Sequence, residues 1–259
     1  MSDFFWLSDA QMARLEPFFP KSHGKPRVDD RRVLSGIIFI NRNGLRWRDA
    51  PAAYGPHKTL YNRWKRWSDK GVFARMMAGL AAEHGEEKSV MIDATYLQAH
   101  RTATSLGVKK GGRGRLISRS KGGMNSKLHA ICDSRGHPLN LFVTAGQVRD
   151  YIGARALLSS LADVDWLLGD RGDDADCFRE ALKDKGTRTC IPGQRQRTKP
   201  IKYNKRCYKR RNRIEIMFGS LKDWRRVATR YDRCPKVFLS AIALEALVIP
   251  DQALSVRSL

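Results

Sequence analysis

Apolar residues recur at helical spacing through the first third of the chain and then gather into short runs, so two kinds of architecture follow one another. Up to about residue 85 no stretch alternates convincingly as a strand. The Ser8-Asp9 signal caps a short helix near Leu7, and the segment between Pro17 and Pro26 interrupts the pattern. Asp29 and Asp30 open a second helix, in which Val33, Leu34, Ile37, Ile38 and Asn41 carry helical spacing, and Gly44 stops it. A turn-rich stretch through Pro51, Gly55 and Pro56 leads to a third helix over 58–69, where Tyr61 and Trp64 interleave with Arg63, Lys65 and Arg66. Helix, turn and basic helix predict a helix-turn-helix-like arrangement.

Beyond residue 88 the pattern changes. Val90-Met91-Ile92 is a short strand-type run ending in Asp93, and Trp166-Leu167-Leu168-Gly169 is another ending in Asp170. Between them, the runs 128–132 and 139–144 bracket Asp133-Ser134-Arg135-Gly136, a hairpin signal, and Asp150 is placed to cap a helix reaching Leu161. Asp174 opens a helix to Lys183, and a long basic connection leads to a helix over 208–226. Strand, hairpin, helix, strand, helix, helix predicts a mixed α/β domain over 86–250, preceded by a small all-α domain over 1–85 and followed by a tail at 251–259. The Gly-, Lys- and Arg-rich segment at 105–123 reads as a mobile basic loop. The longest apolar stretch, from Phe238 to Ile249, is shorter than a bilayer span and carries Glu245, so it predicts a core helix and no membrane contact.

Charge narrows the function. Lys and Arg number 49 against 26 Asp and Glu, a formal +23, and no acid occurs between His100 and Asp133 or between Lys185 and Ile214. Long acid-free stretches suit phosphate contacts, so a polyanionic partner is expected. Lys58, Thr59, Asn62, Arg63 and Arg66 of the third helix are candidates to reach double-stranded DNA. The five cysteines form no CxxC pair, which argues against a zinc site or a disulfide framework. The first residues lack a basic segment before an apolar run, so the expected location is the cytoplasm.

Chemistry is carried by carboxylates. At about 100° per residue, Tyr208, Arg211, Glu215 and Lys222 fall within roughly 60° of one another on a helix, while Ile214, Met217, Leu221 and Trp224 form a separate apolar stripe. Taken alone, Arg211 and Glu215 read better as an i, i+4 pair on a solvated face. The two strand-end aspartates shift the reading, because ligands of open α/β sheets assemble at the carboxyl ends of strands. Asp93, Asp170 and Glu215 together offer oxygen ligands for Mg²⁺, with Mn²⁺ as a substitute, and paired ions serve in-line displacement at phosphorus.

The spacing Tyr208-x2-Arg211-x3-Glu215-x6-Lys222 resembles the C-terminal signature of DDE insertion-sequence transposases. Gly44-x2-Trp47-Arg48-Asp49-x-Pro51, with Gly55-Pro56-x-Lys58-Thr59-x-Tyr61-Asn62-Arg63, is similar to the N-terminal part of the insertion-sequence-five family; Ile92-Asp93 and Leu168-Gly-Asp170-Arg-Gly172 resemble its aspartate motifs. The resemblance implies an RNase H-like catalytic fold, metal-dependent cleavage of element ends and joining of the freed 3′-OH to target DNA, by a homodimer or larger assembly working on the nucleoid. It also implies that Tyr208, Arg211 and Lys222 orient DNA phosphates. Asp173 stands where the family usually has an aromatic, and the tail from Pro250 departs from its apolar ending. A decayed copy, or a DNA-binding protein without catalysis, is the alternative.

Overall fold

The computed structural model describes residues 4–21, 29–83, 88–104, 114–161 and 163–248, which form two compact units: Met1–Leu80 with Leu221–Leu259, and Ala81–Ser220. The first unit is built on helices whose ends follow local chemistry. Helix α1 (Asp9–Leu15) opens on Ser8, which forms a reciprocal cap with Gln11. Helix α2 (Asp30–Asn43) opens on Asp29, whose carboxylate accepts from the Arg31 and Arg32 N–H groups, and closes on Gly44 at φ 68°, a conformation that disfavours any side chain. Two tight 3-10 turns, Trp47–Asp49 and Ala52–Tyr54, lead to α3 (His57–Asp69), and α4 (Val72–Ala82) follows. Leu60, Trp64 and Trp67 of α3 are buried; the Trp64 ring packs 4.9 Å from Phe73, and Trp67 lies 4.6 Å from Phe19.

The second unit is a mixed sheet. Strand β1 (Ser89–Ala99) is followed by a short turn of helix, α5 (Arg101–Thr104), then by β2 (Ser118–Ser120), β3 (Gly123–Cys132) and β4 (Pro138–Ala145). Helix α6 (Asp150–Leu158), β5 (Trp166–Leu168), α7 (Asp176–Asp184) and β6 (Arg188–Cys190) complete the layers. The strand order is β2-β3-β1-β5-β6, with β4 on β3. Strands β4, β3 and β1 pair antiparallel, whereas β1, β5 and β6 pair parallel. This mixed sheet is that of an RNase H-like domain. Val90, Ile92, Ile131 and Leu167 pack with Ala154 and Leu157 of α6 and with Phe178 and Leu182 of α7. Met91 and Asp93 therefore face the other side of the sheet.

Several expectations are corrected here. Asp93 does not end its strand: β1 runs on to Ala99, because β3 pairs with it from Met91 to Gln98 after β5 has stopped at Met91. Of the basic loop at 105–123, residues 105–113 lie outside the described residues, and Ser118–Ser120 is a strand hydrogen-bonded to β3. Asp150 does not cap α6; Arg149 occupies the cap position, and the Asp150 carboxylate takes the Lys127 ammonium at 2.8 Å instead. Asp174 does not open α7 either, since its carboxylate is held by Arg179 (2.7 Å) and Arg197 (2.6 Å).

The helix expected over 208–226 is broken into α8 (Lys205–Tyr208), a 3-10 turn (Lys209–Arg211) and α9 (Asn212–Leu221), after which α10 (Arg225–Ala228) and α11 (Pro235–Val248) complete the first unit. The break before α10 is set by a partner twenty-one residues on: the Trp224 N–H donates to the Glu245 carboxyl at 3.0 Å rather than back into a helix. Helix α11 is buried along nearly its whole length, as the run from Phe238 predicts. It groups with the first eighty residues, not with the sheet, although the sequence pattern runs 86–250 together. The tail at 251–259 lies outside the described residues. No helix among the described residues is long and apolar enough to cross a membrane.

Candidate active site

Strands β1 and β5 run parallel with Met91 opposite Leu168, so Asp93 and Asp170, each two residues further on, emerge at matching depth on one side of the sheet. The Asp93 Oδ1 accepts from the N–H of Ala94 at 2.8 Å, and its Oδ2 takes the Arg211 Nη2 at 2.6 Å. Asp170 starts a 3-10 turn (Arg171–Asp173); its Oδ1 accepts from the N–H groups of Gly172 (2.5 Å) and Asp173 (3.3 Å). The same Arg211 Nη2 lies 4.0 Å from Asp170 Oδ2, and Nη1 donates to Glu215 Oε1 at 2.7 Å. One guanidinium thus gathers the carboxylates of β1, of the turn after β5 and of α9. Its side chain is 11% exposed, and its Nε has no hydrogen-bond partner.

Burial dominates the electrostatics. It pushes Asp93 up to about 6, with Arg211 pulling the other way and Asp170 adding to the rise. For Arg211, burial opposes the charge, but Asp93, Asp170, Tyr208 and Glu215 outweigh it and raise the guanidinium above its ordinary value. Asp173, the departure from the family pattern, is buried and raised well above the usual carboxylate range, first by burial and then by Asp170 and Asp93. Its Oδ2 accepts from the Asp170 N–H at 3.2 Å, which completes a reciprocal cap and fixes the turn carrying Asp170.

Sequence reasoning missed two neighbours. Asp150 stands close to Asp170: a Cβ on Gly172 would lie 2.8 Å from Asp150 Oδ2 and 2.9 Å from Asp170 Oδ1, so Gly172 is what lets both carboxylates approach. Lys127, only 6% exposed in its side chain, donates to Asp150 and to the Val148 carbonyl (2.7 Å) and lies 4.7 Å from the Tyr96 ring centre. A lysine within the buried run of β3 is the one signal that pointed to such a partner.

The other predicted residues divide. Tyr208 ends α8, its ring 5.4 Å from that of Tyr203, and burial raises its hydroxyl, with Arg211 opposing and Asp170 adding. Lys222 follows directly on the end of α9, in the segment that groups with the first unit. On α3, Lys58 and Arg66 are exposed with Asn62 between them, one turn apart each. Arg63 is instead engaged inside the unit: it is ion-paired with Asp30, 11% exposed, and stacked 5.2 Å from the Trp67 ring centre.

Among the described residues no group of three His, Cys, Asp or Glu side chains is poised to hold a metal ion as they stand. The donor set nevertheless suits a hard divalent cation in kind, because Asp93, Asp170 and Glu215 supply carboxylate oxygens and already converge on one positive group.

Two family models match the chain: that of a "transposase of IS4/5 family" over residues 7–77, and the "Transposase DDE domain" over 167–250. A protein of Brucella ovis, named as the transposase of insertion sequence element IS6501, is 33% identical over 49% of this chain and 98% of its own length. The protein y4sN of Sinorhizobium fredii is 36% identical over 41% of this chain and 87% of its own. Among solved structures, the piggyBac transposase synaptic complex with hairpin DNA aligns with 93% of this chain and 69% of that chain, at 10% identity and a TM-score of 0.49.

Proposed function

Because the chain belongs to the IS4/5 family of insertion-sequence transposases, we propose that Asp93, Asp170 and Glu215 carry the cleavage and joining of DNA at the ends of a mobile element. The observation that supports this reading is their convergence from three separate elements onto a single cation. Water attacks a phosphodiester at the element end, one P–O bond forming as another breaks, and the 3′-hydroxyl released then attacks a phosphodiester of the target. Divalent ions, Mg²⁺ or Mn²⁺, held by the three carboxylates would activate the attacking oxygen and offset charge on the leaving one.

The chain's own residues supply position. The backbone turn capped by Asp173 fixes Asp170, the parallel register of β1 and β5 brings Asp93 level with it, and α9 presents Glu215 while burying Ile214 and Met217. The exposed Lys58 and Arg66 of α3, and the acid-free segment at 185–214, offer cations to DNA phosphates. Strand transfer needs two ends held together, which calls for a dimer or a larger assembly on DNA.

Replacing Asp93, Asp170 or Glu215 with its amide keeps shape and removes ligand charge, so nicking of a labelled element end should vanish while a gel shift with the same DNA persists. Robust nicking by the Glu215→Gln protein would refute the assignment and favour a DNA-binding protein without catalysis, which tolerates loss of these carboxylates.

A further inference from the structure

We propose that Arg211 is a resident cation of the acidic site: it holds Asp93, Asp170 and Glu215 together when no divalent ion is bound, and it must withdraw for one to enter. The inference rests on the reading of those three carboxylates as metal ligands. It makes Arg211 a positioning residue whose primary partners are the acids, where family resemblance would have it simply face DNA.

Three observations carry it. The first is space. Arg211 Nη2 sits 2.6 Å from Asp93 Oδ2 and 4.0 Å from Asp170 Oδ2, so it occupies the space beside two of the carboxylates that would hold an ion. A hard ion bonds carboxylate oxygens at about 2.0–2.6 Å, so it would have to share that space with a guanidinium of like charge. The two cations exclude one another.

The second is imperfect fit. A guanidinium has five N–H donors, and a seat built for it satisfies them in a fork. Here Nη1 and Nη2 have close carboxylate partners, Asp170 is at the limit of an ion pair, and the buried Nε has none. One positive charge also faces three carboxyl groups, so the site attracts more positive charge than the arginine brings.

The third is placement in the backbone. Arg211 is the last residue of the Lys209–Arg211 3-10 turn, lodged between α8 and α9. Such a turn inside a helical stretch often marks a hinge, and here it lies at the root of the side chain that would have to move. Withdrawn from the acids, the guanidinium becomes a charge-assisted donor for a DNA phosphate. Metal loading and phosphate binding would then reinforce one another, as linkage requires.

The test is Mn²⁺ binding to the full chain without DNA, read from the paramagnetic resonance of free Mn²⁺. A site whose competent form is only partly populated binds more weakly by that fraction. Arg211→Gln should therefore bind Mn²⁺ on the order of tenfold more tightly than wild type, Arg211→Lys should stay near wild type, and Asp93→Asn should lose binding. Asp93→Asn losing Mn²⁺ while Arg211→Gln binds no more tightly would overturn the resident cation alone. Mn²⁺ binding unaffected by Asp93→Asn, or absent from every protein, would overturn the ligand assignment and this inference with it. A second readout needs no variant: Mg²⁺ added to wild type should speed solvent exchange of the Arg211 Nε proton in a nitrogen-edited NMR spectrum, and a bound ion that leaves that proton unchanged counts equally against the proposal.

Discussion

Glu245 offers the sharpest quantitative test of how the first unit is held together. It is 1% exposed in α11; its Oε1 accepts the Trp224 N–H at 3.0 Å, and its buried Oε2 has no partner. Burial, opposed by that hydrogen bond and assisted by Asp223, pushes the carboxyl from 4.5 to about 10. Folding therefore binds a proton between those values. The stabilisation of the folded state is complete below the unfolded value and is lost as pH rises towards the folded one. At about 1.4 kcal/mol per unit, a rise from pH 5 to pH 8 should remove about 2–4 kcal/mol through this residue, the lower figure allowing for relaxation. Glu245→Gln keeps the acceptor for Trp224 and cannot ionise, so it should lack that loss and exceed wild type at pH 8. Urea unfolding followed by tryptophan fluorescence reads this unit directly, since Trp6, Trp47, Trp64, Trp67 and Trp224 belong to it. Equal dependence on pH in the two proteins would show that Glu245 is charged in the folded state and that the argument from burial fails.

Two further outcomes follow from packing and charge. Gly172→Ala drives a methyl group against the carboxylates of Asp150 and Asp170; nicking should fall about 10–100-fold, as expected for a small misplacement of a reacting group, with circular dichroism unchanged, and full activity would mean that the two acids need not approach. On α3, Lys58→Ala and Arg66→Ala should each lower the salt slope of DNA binding by about 1, whereas Arg63→Ala, which strips Asp30 of a buried partner, should lower the melting temperature; equal slopes for wild type and both exposed variants would remove α3 from the DNA interface.

What the sequence reveals about the fold depends on how local the cause is. The caps at Ser8 and Asp29 and the stop at Gly44 are legible because each satisfies backbone groups a few residues away. The hairpin of β3 and β4 is legible for the same reason, with Gly136 at φ 98° in its turn. Errors arise where a distant partner decides. The polar half of β1 does not alternate cleanly, yet β3 holds it extended to Gln98. The apolar run of α11 predicts burial correctly but carries no mark of which unit it will join. The helix from Tyr208 appears continuous by periodicity, and only the carboxyl of Glu245, twenty-one residues from Trp224, explains why a new one starts.

In the site, the three carboxylates could be found because two of them close apolar runs and the third lies on a helix with an independent apolar face. Their environment could not. Asp150 and Asp170 are twenty residues apart, and nothing in either local pattern states that a glycine at 172 lets them meet. Asp173 looks like a surface charge beside Asp174, yet burial pushes the first well above the usual carboxylate range, while Arg197 and Arg179 keep the second below its ordinary value despite the burial that opposes them. The same segment thus contains an acid that shapes the turn and one that anchors it. Their difference is set by arginines five and twenty-three residues from Asp174, and the farther one, Arg197, comes from the acid-free stretch that composition alone assigns to DNA. A basic segment is therefore not interchangeable with a phosphate-binding surface. Arg63, Arg197 and Arg211 are all tied to carboxylates of this chain, whereas Lys58 and Arg66 stand exposed on α3. Net charge measures attraction for a polyanion; the ion pairs decide which cations answer it first.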